Sequence, residues 1–371
     1  MPSVTKPTSF IPRSPLIALV PELHTFSPQT GIGRVLHSLH AAWGTQVDLL
    51  PTKLVSLNLP LLRNFPYGVE VHNTGHIVLL PRLTGAQALR NTGRLPSVAI
   101  VHDIGVVDFA GDRVGTDWFT LRSALQSFYG LRYASRIISD SAFTEQRLLH
   151  YLPKLADRVS VVHAGVNDTF LFYSRSQAEA RQRVEQITGT LRSPLLAYVG
   201  SEIPRKNIGL LLEVLATLRH TYPDVQLLKV GAPGHPRWRQ KTLATMAQLG
   251  LQPGRDVVFL EGINDELLAD AYRAADVFVS TSLYEGFGLP ALEAMAVGTP
   301  VVVTNRGSFP EIVGNLGKAV EPARDAFAQA VAQTLGTKHA STLEQARKRA
   351  AHYSWERAAE QYLSILHGIA R

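Results

Sequence analysis

The 371 residues suffice for about two domains, and 45% hydrophobic with 18% charged residues is a globular balance that excludes an intrinsically disordered chain. A formal net charge of +7 favours acidic partners such as phosphates, nucleic acid or an anionic membrane face, although a merely basic surface explains it equally well. Because cysteine is absent, disulfides, thiolate metal sites and a cysteine nucleophile are excluded.

The N-terminal segment is rich in proline, and its apolar stretch LIALV (16–20) is too short for the core of a signal peptide. No apolar run approaches the roughly 18–20 residues that span a bilayer. We therefore predict a cytoplasmic protein whose first ordered element is a strand at 16–20. Peripheral contact with the inner face of the plasma membrane stays open.

Short apolar runs then alternate with helical patterns, and runs that are apolar almost throughout are typical of parallel strands buried on both faces. The first series predicts strands at 16–20, 76–80, 97–103, 136–141 and 158–165, with helices at 33–44, 118–134 and 142–152. After a polar connection with one short helix, a second series predicts strands at 195–200, 225–231, 257–262, 277–282 and 300–305, with helices at 208–220, 238–249, 265–275 and 325–335.

Two such series predict an α/β protein with two Rossmann-like, doubly wound parallel-sheet domains. We place an N-terminal domain at 1–170, a C-terminal domain at 171–352, and a last helix at 353–371 that packs back on the first domain. Ligands of such sheets bind at the carboxyl ends of the strands, so a cleft between the domains is the expected site.

The first candidate motif is SPQTGIGRVLHSL (27–39), in which Gly31 and Gly33 open a helix after the first strand. Backbone amides at a helix N-terminus bind anions. The dinucleotide fingerprint G-x-G-x-x-G is absent, and a tight turn that needs small residues is the alternative.

The second motif is VHDIG (101–105), where His102 and Asp103 follow a strand. A histidine there can bond a sugar hydroxyl or handle a proton, whereas the plainer explanation is a pair that caps the strand end.

The third motif is VGSEIPRKN (199–207), which places Arg205 and Lys206 side by side in a loop after a strand. Adjacent cations suit a diphosphate, since arginine binds it bidentately and lysine acts as a point charge. Two solvated charges are the alternative. The dipole of the following helix disfavours cations at its start, so the pair needs another reason.

The fourth motif is YEGFGLPALEAMAVGTP (284–300). Pro290 and Gly298 bound a predicted helix at 291–297, because proline suits the first turn and glycine the C-terminal cap. Glycines at 286 and 288 let the backbone approach a ligand, and the helix N-terminus is an anion site.

Two carboxylates flank this turn, Glu285 before it and Glu293 about one helical turn beyond it. Carboxylates repel phosphate but accept hydrogen bonds from hydroxyls. A phosphate on the helix end with carboxylates that bind hydroxyls describes a nucleotide-sugar site. A glutamate that merely complements the helix dipole would explain Glu293 but not Glu285 together with the glycine turn.

Glu285 and Glu293 match the E-x7-E element of retaining GT-B glycosyltransferases, and EGFGLPALEAMAVGTPVVVTNRGSFPEIVG resembles glycosyltransferase family 4. VHD, SDSAFTEQRL, VVHAGVN, GSEIPRKN, ADVFVSTSLYEGFGLP and the late YSW helix occur in the family's order. The resemblance covers most of the chain and is closest to bacterial mannosyltransferases of cell-surface polysaccharide synthesis.

The resemblance implies a role for each matched position. Arg205 and Lys206 would neutralise the donor diphosphate, Glu285 would bind the transferred sugar and Glu293 the ribose. His102 would meet the donor sugar near its C6 hydroxyl, with Asp103 near the acceptor. The remaining donor-binding positions that it implies are Gly31, Gly33, Arg34, Gly200, Ser201, Gly286, Phe287, Gly288 and Leu289.

The resemblance also implies retaining transfer of a hexose from a nucleotide sugar, without another cofactor. No Asp-x-Asp motif occurs, so we expect no catalytic metal. GDP-mannose is favoured as donor over UDP-glucose or UDP-N-acetylglucosamine, and the expected acceptor is a glycan or polyprenyl-linked glycan.

The rivals are a non-catalytic nucleotide-sugar-binding homologue and an epimerase of the same fold. We expect no nucleic acid partner, because an aromatic–basic motif is lacking.

Overall fold

The computed structural model describes residues 15–26, 31–59, 62–71, 74–108, 118–337 and 340–370. Residues 27–30 of the first predicted motif lie outside this part. The chain forms two compact units: 1–100 with 126–137 and 359–371, and 101–125 with 138–358. The predicted domain boundaries at 170 and 352 stay a prediction.

The strands and helices of the described residues alternate along most of the chain. The strands are β1 Leu16–Pro21, β2 Val47–Thr52, β3 Leu54–Leu59, β4 Leu62–Val69, β5 Ile77–Leu80, β6 Ser97–Val101, β7 Arg136–Ser139, β8 Val159–Val161, β9 Leu195–Val199, β10 Gln226–Val230, β11 Val257–Leu260, β12 Val277–Ser280, β13 Val301–Thr304 and β14 Lys318–Val320. The helices are α1 Gly31–Trp43, α2 Gly105–Asp108, α3 Trp118–Gly130, α4 Ala142–Tyr151, α5 Asp168–Leu171, α6 Gln177–Thr188, α7 Ile208–Leu218, α8 Pro236–Gln248, α9 Asp265–Ala274, α10 Leu289–Ala296, α11 Phe309–Val313, α12 Arg324–Leu335, α13 Ala340–Ala351 and α14 Trp355–Ile369.

Two six-stranded sheets carry the architecture. The first has the order β2-β1-β5-β6-β7-β8 and the second β11-β10-β9-β12-β13-β14. The recorded strand pairs in both sheets are parallel. The predicted pair of doubly wound parallel sheets is confirmed.

In the second sheet, successive strands run outward from β9 to β11 in one direction and from β12 to β14 in the other. The strand order therefore reverses between β9 and β12. Loops that leave two neighbouring strands at such a reversal diverge and open a crevice at their carboxyl ends. The loop after β9 carries Arg205 and Lys206, and the loop after β12 carries the EGFG segment at 285–288.

The core of the second unit lies around α7, whose residues Leu211, Val214 and Leu215 have no exposed surface. They pack in one cluster with β9, β10 and β12 and with Phe327 of α12. Each leucine side chain buried in this way contributes about 1.5–3 kcal/mol to folding. This buried cluster packs against β9 and β12, the two strands from which the loops leave.

Several elements differ from the sequence-based prediction. The strand β2, the antiparallel hairpin β3–β4 and the edge strand β14 were not predicted. Helix α13 was also missed, because its alanine- and charge-rich sequence lacks a clear apolar stripe. The polar connection holds two helices, α5 and α6, where one was predicted, and α6 begins with a capping box at Ser176 and Glu179.

The last helix, α14, is shared by the two units, and its residues from Ala359 onward belong to the first unit. There the indole nitrogen of Trp43 donates to the carbonyl of Ala359 at 3.2 Å, and its ring meets Tyr362 edge-on. Among the described helices, none combines the length and the apolar character that a bilayer crossing requires.

Candidate functional site

Arg205 and Lys206 end a short 3-10 turn, Pro204–Lys206, in the loop after β9. The loop after β12 lies against this turn, because the Leu283 amide donates to the Arg205 carbonyl at 2.8 Å. The hydroxyl of Thr281 also donates to the carbonyl of Asn207 at 2.9 Å. Because β9 and β12 are neighbours in the sheet, the two predicted motifs lie in direct contact.

A buried carboxylate joins both cations. The Lys206 ammonium donates to Oε1 of Glu285 at 2.6 Å, and the Arg205 guanidinium lies 3.5 Å from Oε2. The side chains of Glu285 and Lys206 are about nine-tenths buried, whereas Arg205 is more open. Burial would raise the pKa of Glu285, but the positive charges of Lys206 and Arg205 hold it below its usual range. Glu285 is therefore ionised at neutral pH, and its carboxylate holds the Lys206 ammonium and the Arg205 guanidinium close to each other.

The glycine turn is required by space and by backbone conformation. A Cβ atom on Gly286 would collide with the backbone carbonyl of His102. Gly288 has a φ of 94° and is the N-cap of α10, a conformation that glycine adopts without steric cost. The predicted helix start at 291 is too late, since α10 begins at Leu289 with Pro290 in its first turn.

Hydrogen bonds fix this turn from two directions. Ser141 and Thr144, at the start of α4, donate their hydroxyls to the Gly286 carbonyl at 2.5 and 3.2 Å. The Ser308 hydroxyl lies 2.6 Å from the Phe287 carbonyl. Pro290 has no N–H, and the Ala291 amide donates to the Gly288 carbonyl at 3.0 Å, so the amides of Gly288 and Leu289 are the donors that suit an anion at this end of α10.

Glu293 lies in the second turn of α10 and is almost fully buried. Its Oε2 accepts a hydrogen bond from the Tyr272 hydroxyl of α9 at 2.7 Å. This hydrogen bond fixes the orientation of the Glu293 carboxylate.

His102 and Asp103 follow β6, and both belong to the second unit. The Asp103 carboxylate accepts from the Gly105 amide at 3.0 Å and lies 4.0 Å from the Arg205 guanidinium. The Nδ1 atom of His102 lies 2.5 Å from the carboxylate of Asp140. The second unit alone therefore gathers His102, Asp103, the two cations and the glycine turn.

A family model described as "Glycosyl transferases group 1" matches residues 181–353. The chain is 30% identical to the O-antigen chain mannosyltransferase B of Escherichia coli, over 72% of this chain and 69% of that protein.

This chain belongs to the group 1 glycosyltransferases.

Other relatives point the same way. The MMP alpha-(1->4)-mannosyltransferase of Mycolicibacterium hassiacum is 29% identical over 76% of this chain and 67% of that protein. The D-inositol 3-phosphate glycosyltransferase of Mycolicibacterium smegmatis is 32% identical over 86% and 73%. The sucrose-phosphate synthase (tll1590) of Thermosynechococcus elongatus shares the fold, with a TM-score of 0.74, 24% identity and coverage of 95% and 98%. The predicted glycosyltransferase family and GT-B fold are confirmed.

In this glycosyltransferase, the other predicted donor-binding residues lie in three places. Gly200 and Ser201 follow β9, and the Tyr198 hydroxyl donates to the Ser201 carbonyl at 3.0 Å. Phe287 is buried, with its ring 5.9 Å from those of His163 and Tyr353. Gly31, Gly33 and Arg34 form the first turn of α1 in the first unit. The role of each in donor binding stays a prediction.

Two residues of the glycosyltransferase were not singled out from the sequence. Asp140 directly precedes Ser141, the N-cap of α4, and its carboxylate contacts His102. Glu311 accepts from the Ala142 amide at 3.1 Å and from Nε2 of His163 at 2.6 Å. Burial would raise the pKa of Glu311, but these hydrogen bonds lower it. The only sequence signal was the position of both residues within family motifs.

Within the described ranges, no group of three histidine, aspartate or glutamate side chains is arranged to hold a metal ion. The expected independence of a metal stays a prediction.

Proposed function

We propose that this glycosyltransferase transfers a hexose, with mannose favoured, from a nucleotide sugar to a glycan or polyprenyl-linked glycan with retention of anomeric configuration. The observation that carries this proposal is the Glu285 cluster, meaning Glu285, Lys206 and Arg205 beside the N-terminus of α10. Two cations and a helix N-terminus suit a diphosphate, while the carboxylate suits sugar hydroxyls.

The proposed reaction breaks the bond between the sugar's anomeric carbon and the β-phosphate oxygen, which takes the electron pair. Lys206, Arg205 and the backbone amides of Gly288 and Leu289 stabilise the charge that develops on the departing diphosphate. The acceptor oxygen forms the new bond to the anomeric carbon, and its proton passes to the departing β-phosphate. Glu285 orients the sugar and Glu293 accepts from the ribose hydroxyls. The protein therefore needs neither a nucleophilic side chain nor a metal.

The choice of mannose rests on the names of two relatives, both mannosyltransferases. GDP-mannose is accordingly the proposed donor. The second candidate is a UDP-sugar, including UDP-glucose and UDP-N-acetylglucosamine, with inositol phosphate as another acceptor class suggested by the D-inositol 3-phosphate glycosyltransferases. The proposed setting is the cytoplasm at the inner membrane face, where a positive net charge favours anionic lipid.

A donor panel tests this proposal. The full chain is heated with GDP-mannose, UDP-glucose and UDP-N-acetylglucosamine, with GDP and UDP as references. A ligand at 100 times its Kd adds about 2.7 kcal/mol to the free energy of unfolding. At equal concentrations, the donor with the lowest Kd therefore raises Tm most. We expect GDP-mannose to give the largest shift and product formation to persist in EDTA. A larger shift with a UDP-sugar would overturn the choice of donor, and activity that requires added manganese would overturn metal independence.

Lys348→Ala is the matched control for Lys206→Ala in this panel. Lys348 is an exposed lysine of α13 whose ion pair with Glu344 is within one helix. We expect Lys348→Ala to keep the full donor-induced shift and Lys206→Ala to lose most of it. Equal shifts in both variants would remove Lys206 from the diphosphate.

A further inference from the structure

His102 and Asp140 follow neighbouring strands. His102 comes directly after β6 and Asp140 directly after β7, which lie side by side in the first sheet. Their side chains meet with Nδ1 of His102 2.5 Å from Oδ2 of Asp140. The carboxyl ends of parallel strands share one edge of a sheet, so residues 38 positions apart become partners.

Asp140 is held in place by its surroundings. Its side chain is 5% exposed and that of His102 is 16% exposed. The next residue, Ser141, caps α4 by accepting from the Thr144 amide and donates its hydroxyl to the Gly286 carbonyl. The backbone next to Asp140 is thus held both by a capped helix and by the glycine turn.

This contact determines which nitrogen of the ring carries the proton. An ionised carboxylate offers only acceptors, so His102 must donate from Nδ1. In the neutral imidazole the other nitrogen, Nε2, then carries a lone pair. Any hydroxyl that the imidazole engages as a neutral base or acceptor must be met at Nε2.

We propose that Asp140 is a positioning residue that fixes the tautomer and orientation of His102 for sugar transfer, an inference that rests on the proposed function. His102 meets a hydroxyl of the donor sugar or acceptor through Nε2, and Asp140 acts only through the histidine. Asparagine at position 140 can donate its amide hydrogen to Nδ1, which favours the opposite tautomer with the proton on Nε2.

The first test observes the ring itself. The full chain is labelled with ¹⁵N-histidine, and the His102 resonances are assigned by their loss in His102→Ala. Protonated and unprotonated ring nitrogens have well-separated ¹⁵N shifts. We expect a protonated Nδ1 in the wild-type protein and a protonated Nε2 in Asp140→Asn. The same neutral tautomer in both proteins would overturn the inference, and this result does not depend on the reaction that the enzyme catalyses.

The second test is a double-mutant cycle on kcat/KM. We expect Asp140→Asn to lower kcat/KM by about 10- to 100-fold, the size of a hydrogen bond to a charged group. In a His102→Ala background the same substitution should have almost no effect, because its partner is gone. Additive losses would overturn the inference, since Asp140 would then act without His102.

Asp256→Asn is the control for replacing a buried carboxylate. Asp256 is as buried as Asp140, but its Oδ2 accepts from the Gln252 amide at 2.7 Å and its neighbours are Arg219 and Arg255. We expect it to change Tm but not the His102 tautomer or kcat/KM at a temperature where it is folded. If the wild-type protein transferred no sugar, the proposed function would fail while the NMR result still decided the role of Asp140.

Discussion

The second unit contains two similar clusters, each made of one glutamate, one lysine and one arginine. The loop after β9 contributes Arg205 and Lys206 to one and Glu202 to the other. The first is the Glu285 cluster. The second, the Glu202 cluster, consists of Glu202, Lys229 of β10 and Arg239 of α8. Glu202 lies 3.0 Å from the Lys229 ammonium and 2.7 Å from the Arg239 guanidinium. The residue types of the two clusters are the same, and in both the lysine ammonium lies within 3.0 Å of the carboxylate.

Their burial differs. The side chains of Glu202 and Lys229 are 0% and 1% exposed, against 11% and 12% for Glu285 and Lys206. Arg239 also stacks on the Phe259 ring at 3.9 Å and bonds Glu261. Burial lowers the pKa of Lys229 although Glu202 opposes the shift. The Glu285 cluster keeps some exposed surface, mainly on Arg205, whereas the closed Glu202 cluster links β10, α8 and the loop after β9.

The largest expected effect breaks the closed cluster. Glu202→Ala leaves Lys229 buried without its carboxylate, and we expect a loss of about 3–5 kcal/mol in the free energy of unfolding. Urea unfolding measures it. Glu261→Ala is the control, because Glu261 is the exposed partner of Arg239 and its loss costs about 0–1 kcal/mol. Similar losses in both variants would mean that the burial of Glu202 does not make it more important for stability than the exposed Glu261.

The open cluster is expected to respond in turnover instead. Lys206→Ala removes a charge that stabilises the departing diphosphate, and we expect kcat to fall about 10²–10³-fold. The loss of stability should be smaller than for Glu202→Ala, because Arg205 remains 3.5 Å from Glu285. Initial rates and urea unfolding of one preparation measure both. Normal kcat with a large loss of stability would place Lys206 in a structural role, like Lys229.

A smaller effect, on nucleotide affinity, is expected at Glu293 of α10. Glu293→Gln can still accept from the Tyr272 hydroxyl but loses the charge proposed to hold the ribose. We expect the Kd for GDP to rise about tenfold, or about 1.4 kcal/mol, with Tm little changed. Calorimetric titration measures the Kd. Tyr272→Phe separates the two roles, since it removes only the hydroxyl. If Tyr272→Phe weakened nucleotide binding as much, Glu293 would be a structural residue.

The pH dependence of stability gives the smallest effect. The pKa values of Glu202, Glu285 and Glu311 are lowered in the folded chain because hydrogen bonds and nearby charges outweigh burial. These carboxylates therefore stabilise the fold above their unfolded pKa of about 4.3, and the contribution is lost as pH falls through the folded values. Each adds a slope of at most about 1.4 kcal/mol per pH unit.

Urea unfolding between pH 3 and 7 measures this acid limb. We expect constant contributions from the three carboxylates above about pH 5 and a fall below it. Glu202→Gln should flatten the fall without removing it, because Glu285 and Glu311 remain. An unchanged acid limb in Glu202→Gln would show that the closed cluster does not contribute to it.

Much of the architecture was predictable because buried parallel strands are apolar almost throughout. Of the fourteen strands in the described residues, nine lie within predicted runs and β1 exceeds its run by one residue. The missed strands β2, β3, β4 and β14 are partly exposed or irregular, so their side chains lack that signal. The helix α10 was found from proline and glycine, but its start was two residues off because Gly288 itself is the cap.

The sequence by itself determined the residue types of the site, since glycines, adjacent cations and spaced carboxylates are local features. It could not distinguish Lys206 from Lys229, because burial arises only when the sheet and helices close around one of them. Nor could it pair His102 with Asp140, which meet because β6 and β7 end at one edge of a sheet. Strand order decided both, and strand order depends on packing between segments far apart in the chain.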